Sequence, residues 1–402
     1  MRTIRSLCAT TLGLALFSTG GEAQTGSGMV LSSNPALGEL AARLLPDLAA
    51  RAGMEMKEPV RLEERSREEL VRYLEAKFEE ELPEAEAQAR VDAYALLGLV
   101  PADLDLRTVL MDLYTEQVAG FYEPDSTTLF VMDDQPAESL QALLVHELVH
   151  AVQDQSADLD ALTDPAFGND RATAAQAAIE GHATLVMLEY MTEQMTGTPV
   201  DFGQIPDFAA QLRPTLEGMS SQYPALANAP RVIRESLLFP YLEGAGFVQR
   251  LWTGGERIAP FGAALPLSTE QIMRTDAAPP LELELSAEGA TIVHEDVLGR
   301  FELGILLEDV VDGEAGVLAE GWDGDRYALM ERPDGTRSLI AFVLWEDAAV
   351  RDRFVAVARG ASSRFGGDVE LQSMEIGRRP AAVLKIGATD GFSVTATLAP
   401  RP

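Results

Sequence analysis

The most strongly patterned stretch of the chain runs from residue 137 to 152. Leu140, Leu143, Leu144, Val145, Leu148, Val149 and Val152 fall on nearly every side of a helical repeat, after the acidic, proline-led start Asp133-Asp134-Gln135-Pro136. A helix that is apolar all round is a buried helix. A second helix is expected over 172–195, alanine-rich, with Ile179, Leu185, Val186, Leu188 and Tyr190 as its apolar positions and no proline before Pro199. Just upstream of the first helix, 117–123 and 128–132 read as two strands around the turn 124–127.

Further helices are expected at 37–50, which Pro46 bends or interrupts, at 67–81 and at 84–97, with Pro83 and Pro101 as breaks. A proline- and glycine-rich passage, 197–230, leads into a long helix at 229–252 that is kinked or broken at Pro240. After Pro279-Pro280 the character changes. Segments 326–331 and 337–346 read as strands flanking the turn Pro333-Asp334-Gly335-Thr336, followed by a helix at 347–358 and strands near 381–386 and 392–397. The string Gly321-Trp322-Asp323-Gly324-Asp325 reads as a dense turn that either touches substrate or, the preferred reading, ties this unit to the rest. The expected organisation is therefore 24–116 as a helical N-terminal region, either a prosegment or the front of the main fold, 117–280 as a core, and 281–402 as a C-terminal α+β domain.

Residues 1–23 read as a secretory signal: basic Met1 to Arg5, an apolar run from Leu7 to Phe17, then the small-residue site Gly21-Glu22-Ala23. The apolar run is too short to span a bilayer, and no later stretch is long enough, so a periplasmic or secreted protein with no membrane span after signal removal is expected. The single cysteine, Cys8, lies inside that signal, which leaves the mature chain without thiol chemistry. A net charge of −33 argues against nucleic acid and anionic membranes as partners. Acidic blocks such as Glu63-Glu64 and Glu79-Glu80-Glu81 read as solvated helix faces.

The chain has only four histidines, and two of them, His146 and His150, stand in the string His-Glu-Leu-Val-His. On a helix, residues four apart share a face, so both imidazoles can reach one ion while Glu147 sits beside them. Burying these groups without partners would cost several kcal/mol, roughly, which a dication offsets. A Zn2+ site for hydrolysis needs a third protein ligand and one open position. Glu180, in the string Glu180-Gly181-His182-Ala183-Thr184, is the preferred candidate; His182, two residues on and facing another way, is the alternative, as ligand or as a polar group near substrate. A donor for the oxyanion is sought among Tyr241, His182 and His294.

Over residues 117–190 the sequence resembles the gluzincins, the thermolysin-like metallopeptidases whose third ligand is a glutamate on a following helix. The strings Ala151-Val152-Gln153-Asp154-Gln155 and Glu180-Gly181-His182-Ala183 are more similar to a group of poorly characterised secreted bacterial zincin-like proteins. Glu180 lies further beyond the second histidine than in thermolysin-like enzymes, and Thr184 stands where they carry an aspartate. The resemblance implies an α+β, zincin-like catalytic core, His146, His150 and Glu180 as zinc ligands, and Glu147 as the general base. It also implies a peptide or protein substrate; the 117–132 hairpin is then either an edge-strand rail for it or simply a cover over the core. The alternative is a non-catalytic binding or assembly protein on the same scaffold. Retention of Glu147 favours the enzyme, because a purely structural zinc site is normally closed by four ligands.

Overall fold

The computed structural model describes residues 8–9, 28–205, 208–220, 223–274, 276–308 and 315–400. Apart from Cys8 and Ala9, the expected signal lies outside the described residues. The fold is α+β. Its first half contains β1 (Cys8–Ala9), β2 (Val30–Ser32), α1 (Pro35–Ala52), β3 (Val60–Arg65), α2 (Arg67–Glu81), α3 (Glu84–Leu96), α4 (Leu106–Gln117), β4 (Gly120–Glu123), β5 (Thr128–Met132), α5 (Ala137–Ala157) and α6 (Asn169–Thr196). The strands form one sheet in the order β1-β4-β5-β3-β2, with β2, β3 and β5 parallel and β4 antiparallel to β5.

This sheet crosses the boundary expected at residue 116. Strand β2 pairs with β3 and β3 with β5, and helix α1 buries Leu37, Leu44, Leu45 and Leu48 in the same core as the apolar residues of α5, so residues from 30 onward share a sheet and a core with the segment beyond 116. Asn34 caps α1 by accepting from the Leu37 amide, Gly53 closes it with a φ of 66°, and the helix runs through Pro46 without a break. Glu63 and Glu64, expected on a solvated helix face, lie instead on β3. That strand buries Val60 and Leu62 and turns Arg61 and Glu63 outward, the two-residue alternation of a half-buried strand. Helix α2 begins at Ser66 with a reciprocal capping box to Glu69. Helix α4 continues to Gln117, so the first strand of the hairpin starts at Gly120 rather than 117.

Helix α5 packs against this sheet at a place where a side chain would not fit. A Cβ on Gly120 would lie 2.7 Å from the Phe130 carbonyl oxygen and 3.2 Å from the Leu143 side chain, so glycine lets β4 lie close to both β5 and α5. Helix α7 (Phe208–Ser220) and helix α8 (Arg231–Trp252) follow. Helices α6 and α8 meet backbone to backbone: a Cβ at Gly181 would be 2.0 Å from the Gly244 carbonyl carbon, and one at Gly244 would be 2.0 Å from the Ala177 oxygen. Pro240 is buried inside α8, which continues past it to Trp252.

The second half contains α9 (Thr269–Met273), β6 (Leu283–Glu288), β7 (Thr291–Asp296), α10 (Gly299–Glu308), β8 (Trp322–Glu331), β9 (Arg337–Trp345), α11 (Ala348–Gly360), β10 (Val369–Ile376), β11 (Arg379–Ile386) and β12 (Ser393–Leu398). Five strands form an antiparallel sheet ordered β10-β11-β9-β8-β7, while β12 pairs with β6. Of the 321–325 string only Gly321 lies in a turn; Trp322 to Asp325 open β8. Trp322 is buried and its indole N–H donates to Asp325, whose carboxylate also accepts from the amides of Leu298 and Gly299 at 2.8 and 2.9 Å. Asp170, at the start of α6, accepts from the Thr269 amide and hydroxyl, and the Phe301 amide donates to that hydroxyl in turn. A ladder of buried polar groups thus joins α6 to α9, α10 and β8. Among the described residues no helix is long and apolar enough to cross a membrane.

Burial raises the Asp170 carboxyl to about 7 against the opposing hydrogen bonds from Thr269, and it raises Asp325 to about 6. The folded chain then holds protons at pH values where the unfolded chain, with ordinary aspartates near 3.8, has released them. Where the native state binds more protons, stability falls as pH rises. The Asp170 contribution is therefore fully present below about pH 4 and is lost toward pH 7, at up to about 1.4 kcal/mol per pH unit. Asp170→Asn, which keeps an acceptor for Thr269, is expected to lose stability less steeply than the wild type in denaturant titrations between pH 5 and 7. Parallel curves for the two proteins would contradict this.

Candidate metal centre

The apolar wrapping of α5 carries His146, Glu147 and His150 into the core, where each is at most 1 % exposed. The two imidazoles, one helical turn apart, stand nearly perpendicular with centroids 4.7 Å apart. Helix α6 brings Glu180 against them. Its Oε2 lies 3.0 Å from His146 Nε2 and 3.4 Å from His150 Nε2, and one ligand atom from each residue falls within 4.8 Å of the others. The buried cluster His146, His150 and Glu180 can hold a metal ion.

Two nitrogens and one carboxylate oxygen form a donor set suited to zinc and to other first-row divalent ions. His150 Nε2 is buried without a hydrogen bond, as a nitrogen reserved for an ion would be. Electrostatics point the same way. Burial opposes charge on His150, yet the Glu180 carboxylate outweighs it and raises the imidazole to about 9. Burial likewise works to raise Glu180, and the charge of His150 with the hydrogen bond from His146 overrides it, lowering the carboxyl to about 2. Without a metal, a proton on the His150 imidazole takes the place of the cation opposite Glu180.

Two glutamines supply the surroundings. Gln176, one turn before Glu180, donates to Glu180 Oε1 at 2.9 Å and leaves Oε2 to face the histidines. Gln153 lies within hydrogen-bond distance of both His150 Nδ1, at 2.8 Å, and His182 Nδ1, at 3.0 Å. Sequence reasoning assigned no role to either residue. The only signal for them is their spacing, three residues after a histidine ligand and four before the glutamate.

Of the other residues singled out from sequence, Tyr241 on α8 is brought to the centre, its ring centroid 6.2 Å from that of His146. The Gly181–Gly244 contact is what permits this approach. His182 is not brought to the ligand cluster. It is fully buried behind His150, edge-on to Trp252 and Phe261; burial pushes it down to about 3, and its Nδ1 faces Gln153. His294 sits on β7 beside Tyr327, its Nε2 3.4 Å from the phenol oxygen, and lines a separate small cavity with Arg90 and Asp296. In comparisons with known proteins, no family model, no curated protein and no solved structure matches the chain.

A metal that binds the folded state alone stabilises it by mass action, by about 2.7 kcal/mol at a hundredfold excess over Kd. Added zinc is expected to raise the unfolding midpoint of the wild type and chelator to reverse it. In Glu180→Ala and His146→Ala the same addition is expected to produce little or no shift. An undiminished shift in both variants would place the metal elsewhere.

Proposed function

We propose that this chain is an exported zinc-dependent metallopeptidase. The observation that carries the reading is the convergence of His146, His150 and Glu180 from two helices, with Glu147 on the same turn as the histidines. The site's placement beside the β4–β5 hairpin fits it: β4 lies next to α5, and its outer edge is paired with Cys8–Ala9 of the signal-like segment, whose removal would free that edge for an extended peptide. The zincin-like resemblance and the signal-like residues 1–23 support the fold family and the export respectively.

Bound zinc supplies Lewis-acid polarisation of the scissile carbonyl and lowers the pKa of water toward neutrality. Glu147 accepts a proton from the attacking water as its oxygen bonds to the carbonyl carbon. It then delivers that proton to the amide nitrogen as the C–N bond breaks. The Tyr241 hydroxyl, carried on a ring whose centroid lies 6.2 Å from that of His146, donates a hydrogen bond to the oxygen on which negative charge develops. Gln176 holds the Glu180 carboxylate so that one oxygen faces the histidines.

One observation favours a second reading, a non-catalytic protein that keeps the metal centre as scaffold: all three ligands and Glu147 are almost entirely shielded from solvent. Catalysis on a peptide requires the cover over the site to open, whereas a scaffold does not. Purified protein loaded with zinc is expected to cleave members of a mixed peptide library. Glu147→Gln should retain the metal and lose activity by about 10²–10⁴-fold. Tyr241→Phe should lower kcat by about 10²-fold with a smaller effect on KM. Full zinc occupancy with no cleavage of any peptide would support the scaffold, and a fully active Glu147→Gln would sink the proposed mechanism.

A further inference from the structure

The amide of Gln153 has three polar neighbours, all in the interior: His150 Nδ1 at 2.8 Å, the Ile179 carbonyl oxygen at 3.0 Å and His182 Nδ1 at 3.0 Å. A backbone carbonyl can only accept, so the end of the amide facing Ile179 is the NH2 group. That assignment places the amide oxygen against His150. Since the oxygen can only accept, His150 Nδ1 carries a proton, and in the neutral imidazole that a metal would bind the Nε2 nitrogen facing Glu180 is the lone-pair donor. The second amide N–H meets His182 Nδ1, which therefore accepts. Every hydrogen-bonding atom of the Gln153 side chain is used, and the alternative amide orientation would oppose two oxygens.

We infer that Gln153 is a positioning residue that fixes the tautomer and ring orientation of His150, with the Ile179 carbonyl and His182 as its anchors. The inference rests on the proposed metal centre. It also explains two features that the reaction leaves unused. His182 is fully buried, off the ligand cluster and packed edge-on to Trp252, which holds its Nδ1 toward Gln153. The anchors lie on α6, so Gln153 couples the helix that carries both histidines to the helix that carries Glu180. Such outer partners of a histidine ligand set its donor strength and geometry, and losing one weakens metal binding by about 10–100-fold.

The test compares the wild type with Gln153→Met, which keeps the length and volume of the side chain and removes its hydrogen bonds. Two quantities are measured with zinc as the only added metal: affinity by chelator competition, and the protonation of His150 by long-range 1H–15N correlation in histidine-labelled protein. With four histidines in the chain, assignment by single substitution is practical. In the zinc-loaded wild type, His150 is expected to show a protonated Nδ1 protected from exchange. In Gln153→Met, that proton should exchange rapidly and affinity should fall by about 10–100-fold while the far-ultraviolet spectrum is kept. A folded Gln153→Met with affinity within about threefold of wild type and a protected Nδ1 proton overturns the inference alone. A wild type that binds no zinc overturns the metal centre and this inference with it. If Gln153→Met does not fold, His182→Phe carries the same test, because it keeps a ring against Trp252 and removes the acceptor. Faster exchange of the His150 proton is then the expected result, and unchanged exchange overturns the inference.

Discussion

Two imidazoles and two carboxylates, Glu147 and Glu180, sit together in the interior with almost no exposure to water, and the surrounding fold is organised around that fact. A buried carboxylate without a cation is among the costliest arrangements in a protein. The opposite shifts of His150 and Glu180 express the demand for positive charge between them. A divalent ion meets the same demand while engaging the three atoms that converge. The glutamines then act as neutral spacers. Gln176 satisfies the far oxygen of Glu180 and Gln153 the far nitrogen of His150, so the inward-facing atoms are left for the ion.

Precision at the centre comes from close backbone contact. Helices α6 and α8 touch through Gly181 and Gly244, where even a methyl group would collide with main-chain atoms. Glu180 and Tyr241 sit on either side of that contact, within three residues of it, so the crossing sets where both side chains lie relative to α5. Gly120 does the same for the hairpin, drawing β4 against α5 and β5. The residues after Gln153 extend the support: Asp154 accepts from the Tyr122 hydroxyl at 3.0 Å, and Gln155 receives the amides of Lys57 and Glu58 at the entry to β3. At the start of α6, Asp170 fixes the helix to α9 beside α10, whose first amides hydrogen-bond Asp325 of the C-terminal unit.

The ligand-bearing helices were legible because they are long, strongly apolar and free of internal proline, and because four-residue spacing on a helix has one meaning. Glu180 was legible from its place in the string Glu180-Gly181-His182 on the second of these helices. Strand β3 was not, since only Val60 and Leu62 of its residues are apolar and buried, and its charged positions mimic a solvated helix. Arg65, at its end, stacks over Phe130 at 3.5 Å, a tertiary contact that no local pattern announces. Gln153 was passed over because a glutamine three residues from a histidine has no chemistry of its own. Its role exists only once Ile179 and His182, from another helix, close around it. The turn at 333–336 was legible from its own residues and joins β8 to β9, whereas the pairing of β6 with β12 brings together segments about a hundred residues apart.

The most direct measurement is anomalous diffraction from crystals of the zinc-loaded protein, collected at the zinc edge. The account predicts one dominant peak per chain, bonded to His146 Nε2 and His150 Nε2 at about 2.0–2.1 Å and to a Glu180 carboxylate oxygen at about 2.0–2.2 Å, with His182 outside bonding distance. No peak between helices α5 and α6, or a peak ligated by His182 in place of Glu180, would contradict it.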